Sequence, residues 1–132
     1  MKESNMRFGE YIKAKRLKDS RELTLKDVSE ELGISLSMLS DIEQGRRKPF
    51  EAEKIEKFAE FFKLTADDLA LMYDLAAKEH RDIPADIEDV MMYSETGDIA
   101  RRALRMTQDG IIDEEDWKEF IRKAEQKKEQ KQ

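Results

Sequence analysis

The stretch ELGISLSMLSDIEQGRRKP, Glu31 to Pro49, decides how this 132-residue chain is read. Gly33 is the residue free to adopt positive φ, so a helix arriving through Leu32 stops there. Ser35 is a side chain suited to capping the next helix, which runs to about Gln44 and is ended by Gly45. At 3.6 residues per turn Met38, Leu39 and Ile42 share an inner face. Leu36, Ser37, Ser40, Asp41 and Gln44 are left along the outer side. Arg46, Arg47 and Lys48 follow at once, and Pro49 stops any continuation.

Working outward, Thr24-Leu25-Lys26-Asp27 is a capping box with Asp in the usual Glu position, and Leu25, Val28 and Leu32 give the helix it opens a buried face. Upstream, Phe8, Tyr11, Ile12, Ala14 and Leu17 recur at helical spacing between Asn5 and about Ser20. Downstream, a fourth helix from Glu51 places Ile55, Phe58, Ala59 and Phe62 on one side. Thr65 to Asp68 forms a second capping box and opens a fifth helix through Leu69, Met72 and Leu75. After Ala77 the pattern becomes polar around Pro84, which the sequence places in the first turn of a short helix ending near Tyr93. Ser94 to Gly97 reads as a turn. Ile99, Ala103, Leu104 and Met106 predict another helix stopped by Asp109-Gly110. Asp113 to Asp116 begins a last one, its acids matched to the positive end of the helix dipole. Trp117, Phe120, Ile121 and Ala124 form that helix's apolar stripe, and the terminal EQKKEQKQ is expected to fray. No alternation of period two is present. The expected fold class is all-α, with five helices packed as one unit over residues 1–78 and an acidic helical extension over residues 79–132.

Composition agrees with short exposed helices: 42% of residues are charged, 39% apolar, and there are only 5 Gly and 2 Pro. The chain has no cysteine, which excludes disulfides, thiolate metal sites and cysteine nucleophiles and fits a reducing compartment. MKESNMRFGEYIKAKR has no signal-like apolar run, and no segment approaches the roughly 18 apolar residues that span a bilayer. A soluble cytoplasmic protein without membrane contact is therefore expected. The net charge of −6 is unevenly spread: residues 1–50 hold 11 bases and 9 acids, net +2, while residues 51–132 hold 14 bases and 22 acids, net −8. The acidity lies outside the opening stretch, and the local field decides docking on nucleic acid.

Two short helices joined across LGIS, the second leading into a basic loop, have the geometry of a helix-turn-helix, whose second helix enters a major groove about 12 Å wide. The five outward residues of that helix would meet base edges, and Arg46 to Lys48 would lie against phosphate. At LTLKDVSEELGIS, LSDIEQGRRKP and EKIEKFAEFFKLTADDL the sequence resembles the Xre/Cro-like family, the lambdoid phage repressor type of helix-turn-helix domain, over roughly Met6 to Lys78. The resemblance implies a five-helix repressor-like domain in a sequence-specific transcriptional regulator, a homodimer on a partly palindromic operator in double-stranded DNA. It implies base-reading positions at Leu36, Ser37 and Asp41, with Ser35 and Ser40 near the backbone. It also implies a structural pair between a first-helix cation and Glu43. Arg16 is that cation, with Lys18 as the substitute because RLKDSRELT is two residues longer than usual. Leu25 stands where the family often has a phosphate-touching Gln, leaving Thr24 and Lys26 as the nearby backbone contacts. Ser29 replaces a common Ala, and Phe50 replaces a small helix cap, which suggests an aromatic hold on the basic loop. Residues 82–124 resemble extensions of small regulators of this family, with no binding residues carried over.

Several residues have more than one reading. Asp41 accepts a hydrogen bond from cytosine N4, repels wrong sequences, or turns aside to pair with Arg46 or another nearby cation. Leu36 meets a thymine methyl or is a tolerated exposed leucine. His80 has no partners at metal or catalytic spacing, and Asp113 to Asp116 lack the glycine and spacing of a calcium loop. No metal, cofactor or catalytic residue is assigned, and an enzyme is not expected. Trp117, Phe120 and Ile121 either pack within the protein or form an interface. The rival function is an antitoxin-like or adaptor protein whose acidic extension binds a protein partner.

Overall fold

In the computed structural model, which describes residues 3–131, the two caps of the deciding stretch are both made. Thr24 Oγ1 accepts the Asp27 N–H at 3.1 Å while Asp27 returns a carboxylate oxygen to the Thr24 N–H at 2.9 Å. Ser35 Oγ accepts the Met38 N–H at 3.1 Å. These caps open α2 (Leu25–Leu32) and α3 (Leu36–Glu43), and each is worth about 1 kcal/mol relative to alanine. Gly33 and Gly45 close the two helices at φ 71° and 78°, in the left-handed region that side chains with a Cβ adopt at a cost.

A single 3-10 turn (Glu3–Asn5) precedes α1 (Phe8–Lys18), and α4 (Ala52–Phe62) and α5 (Ala66–His80) complete the first group. Then follow α6 (Glu88–Tyr93), α7 (Glu95–Gln108) and α8 (Glu114–Gln130), with no strand among the described residues. The chain is all-α and divides into two compact units, Met1–Ile87 and Glu88–Gln132. Residue 78, the boundary drawn from sequence, falls inside α5. No helix is long and apolar enough to cross a membrane.

The first unit closes over one core: Phe8, Tyr11 and Ile12 from α1, Val28 and Leu32 from α2, Leu39 and Ile42 from α3, then Phe50, Ile55, Phe58, Met72 and Leu75. Phe50 is buried edge-on against Phe8 with ring centroids 5.1 Å apart, the aromatic hold its position suggested. Leu17, placed on the buried face by its spacing, is instead 64% exposed. The buried face of α1 continues from Ile12 to Arg16, and the next residue is turned about 100° away. Met38 is half-buried at the core's edge.

Gly9 governs how closely α1 and α3 approach. A Cβ at this residue would lie 2.1 Å from the Ile42 carbonyl oxygen and 2.8 Å from that of Glu43, so the backbone of α3 occupies the space a side chain would need. Tyr11, beside it, is fully buried, and its hydroxyl has no hydrogen-bond partner among the described residues. Burial first, then the Asp68 and Glu3 carboxylates, push the phenol well above its ordinary value of 10.

The second unit differs from expectation in three places. Pro84 lies in the turn before α6, accepting the Ile87 N–H at 3.2 Å, so the helix begins at Glu88 and not at the proline. Ser94 to Gly97 is the capped start of α7, with Ser94 Oγ accepting the Gly97 N–H at 2.9 Å. The glycine is needed there for close approach, because a Cβ would come within 2.3 Å of the Val90 carbonyl of α6. The tail expected to fray is helical to Gln130, with only Gln132 outside the described residues.

Two outcomes follow from the first unit. Gly9→Ala should destabilise it by at least ~2 kcal/mol in urea unfolding followed by circular dichroism, because rigid backbone cannot yield to the added methyl. Tyr11→Phe should raise stability by ~1 kcal/mol by removing the unsatisfied hydroxyl. Because the folded phenol titrates above the unfolded one, its contribution is complete below the ordinary value and lost as pH rises past it. The variant's loss of stability at alkaline pH should therefore be shallower than the wild type's.

Candidate nucleic-acid interface

α3 is held from behind by charge as well as by its apolar face. Arg16 Nε and Nη2 each donate to a different Glu43 oxygen at 2.9 Å, while Nη1 reaches the Leu23 carbonyl at 3.3 Å. The two side chains are only 11% and 4% exposed. Hydrogen bonding to the Glu43 carboxylate holds the Arg16 guanidinium above its ordinary range. Arg16, and not Lys18, therefore joins α1, the α1–α2 loop and the last turn of α3. A second clamp sits at the start of α1, where Glu79 accepts the Phe8 N–H at 2.8 Å and the Arg7 guanidinium at 2.9 Å. His80 Nε2 lies 3.0 Å from the Pro49 carbonyl, which ties the end of α5 to the basic loop.

With its back fixed, α3 turns Leu36, Ser37 and Gln44 outward as exposed side chains, with Ser40 and Asp41 partly covered beside them. Asp41 is engaged in the free protein: its Oδ1 accepts from Arg46 Nη2 at 3.0 Å and Nε at 3.2 Å. Arg46 Nη1 in turn donates to Gln44 Oε1 at 2.6 Å, and Gln44 Nε2 to Ser40 Oγ at 3.2 Å. Four of the residues on or next to the outer face thus satisfy one another before any ligand arrives. Of the three readings of Asp41, pairing with Arg46 is the one present here.

Arg47 and Lys48 are exposed and make no ion pair among the described residues. Arg7 joins them from far earlier in the sequence: a Cβ on Gly45 would be 3.1 Å from Arg7 Nη1, and Arg7, Arg46, Arg47 and Lys48 line one open concavity of about 300 Å³. No spacing rule could have found Arg7, since it is the close packing of α1 on α3 at Gly9, with Glu79 of α5 holding the guanidinium, that brings it to the loop. The backbone candidates at the front of α2 and α3 are partly spent on capping, because the Thr24 and Ser35 hydroxyl oxygens each accept a helix N–H. Their O–H groups remain donors. Lys26 is exposed, 4.0 Å from Glu30.

In the second unit Trp117 Nε1–H donates to Thr107 Oγ1 at 2.8 Å, fastening α8 to α7, whereas Phe120 and Ile121 are exposed. Among the described residues no three His, Asp or Glu side chains are grouped to hold a metal ion.

Residues 11–75 match a family model described as a helix-turn-helix domain, a span that contains α2, the turn at Gly33 and α3. Residues 11–75, within the first unit, thus carry a helix-turn-helix domain, and α6 to α8 lie outside the match. No curated protein and no solved structure matches the chain.

The Arg16–Glu43 pair gives a direct test of how α3 is held. Glu43→Gln should destabilise the first unit by ~3–5 kcal/mol, the cost of a buried cation left without its partner, whereas Arg16→Met combined with Glu43→Leu should recover most of that loss. Urea unfolding followed by far-ultraviolet circular dichroism separates the two variants.

Proposed function

We propose that the chain is a cytoplasmic, non-enzymatic regulator of transcription of the Xre/Cro-like type, a repressor that reads operator DNA with α3. The observation that carries this reading is the outer face of α3, free of core contacts and adjoining Arg7, Arg46, Arg47 and Lys48. An eight-residue helix is about 12 Å long, which suits the major groove. Leu36, Ser37, Ser40, Asp41 and Gln44 are the base-reading candidates. Thr24, Lys26, Ser35, Arg7 and the basic triplet are the phosphate contacts. A homodimer on half-sites about 34 Å apart is the arrangement such a domain uses on a partly palindromic operator.

Pairing with Arg46 gives Asp41 a function compatible with binding an anion. Phosphate must compete with the carboxylate for Arg46, so sites that do not also satisfy Asp41 gain less from the cation. Exposed pairs of this kind are worth about 0.2–1 kcal/mol, enough to bias selection without blocking binding. The rival reading, an antitoxin-like or adaptor protein, drew on an acidic extension. Residues 88–132 hold 12 acids and 9 bases, net −3, so much of the acidity belongs to the helix-turn-helix unit instead.

Selection of bound duplexes from random sequence with the purified chain should recover a preferred, partly palindromic site, and recovery of none would remove the proposal. On that site, replacing Arg46, Arg47 and Lys48 with Ala should flatten the dependence of log affinity on log salt by about 0.9 for each phosphate that is no longer neutralised. Asp41→Asn should tighten binding to unrelated duplexes a few-fold by releasing Arg46, and so narrow the gap between preferred and unrelated DNA.

A further inference from the structure

The unit Glu88–Gln132 lacks what would hold three helices together by themselves. None of its apolar side chains is buried among the described residues, and Ile99, Leu104, Ile111, Phe120 and Ile121 are 46–70% exposed. The chain has no cysteine to supply a disulfide, and a unit this small rarely stands without some added staple. α7 and α8 instead border an apolar groove of about 420 Å³ walled by Ile99, Ala103, Ile112, Trp117 and Phe120. Beyond Trp117 every described residue of α8 is exposed, so most of a helix ~25 Å long has no packing partner within its own unit.

The charge along α8 identifies what covers it. Asp113 to Ile121 holds five acids and one base, and Arg122 to Lys131 holds five bases and two acids. A helix so divided repels a parallel copy and attracts an antiparallel one. We propose that the groove is filled by α8 of a second copy of this chain, the two helices packing antiparallel about a two-fold axis near Ile121. On that register Glu114 faces Lys128 of the second copy and Glu115 faces Lys127. The Phe120, Ile121 and Ala124 stripe enters the opposite groove. Within one chain Lys128 makes no ion pair among the described residues, and the pairs that Lys118 and Lys123 make are exposed ones of little worth. The same surface serves both copies, as a two-fold interface requires. The inference rests on the dimeric arrangement proposed above and not on DNA reading.

Sedimentation of the full chain without DNA should give twice the 15.5 kDa chain mass. Phe120→Glu, at a site already exposed, should raise the dimer dissociation constant at least ~30-fold with no loss of helicity beyond that dilution of the wild type produces. Because the native chain has no cysteine, single introduced thiols report the direction of packing. A mixture of Glu114→Cys and Lys128→Cys chains should form a disulfide-linked dimer on mild oxidation, while each variant alone should not. Crosslinking of each variant alone, with none specific to the mixture, would mean a parallel pair and overturn the geometry. A wild-type chain that stays monomeric at ~100 μM would overturn the proposal and leave the groove to a different protein. A crosslinked dimer with no affinity for any duplex would still support this interface while removing the DNA reading.

Discussion

The two-point ion pair between Arg16 and Glu43 fixes the part of the molecule on which the rest depends. α3 has only eight residues, too few to be stable as a helix by itself, so its existence and its direction come from what holds it. Leu39 and Ile42 enter the core, Glu43 is clamped to α1, and Gly9 lets the α3 backbone settle against α1 without an intervening side chain. A buried pair of this sort contributes little net stability compared with an apolar replacement, but an unmatched half is costly. That asymmetry makes the pair a device for orientation, and the orientation it sets is the one that turns the polar side of α3 outward.

The outer surface is as notable for the charge it restrains as for the charge it offers. Arg46 is drawn back by Asp41 and Gln44, so Arg47, Lys48 and Arg7 are the cations with fewest local claims among those near the loop. Arg7 itself is shared with Glu79. A net-negative chain can therefore present a small positive field at one place, and the carboxylates beside that field make its strength depend on what approaches. On the proposed reading, affinity from phosphate is tempered, and a larger share of discrimination falls to the side chains along α3.

The order of helices and their caps could be read from sequence because capping and periodicity act over a few residues. Thr24, Ser35 and Gly33 carry their meaning in their immediate neighbours. The Arg16–Glu43 pair was approachable through a family resemblance, although the longer connection after α1 left the cation open between Arg16 and Lys18, and only the packed helix decides it. What escaped were consequences of helices meeting. Gly97 looks like a turn residue until the α6 backbone is placed against it, Leu17 looks buried until the face of α1 is fixed by Arg16, and Arg7 has no local signal at all. The polar C-terminal stretch misled for a related reason: lack of apolar residues marks lack of packing in one chain, yet α8 runs on to Gln130.

The central claim is that α3 is the surface that meets DNA, and nuclear magnetic resonance of the isotopically labelled chain titrated with its selected duplex tests it most directly. Chemical-shift changes should concentrate at Ser35 to Lys48, at Thr24 to Lys26 and at Arg7, with intermolecular contacts from Ser37 and Gln44 to base protons. Changes confined to residues 88–131, with α3 and the basic loop unmoved, would contradict it.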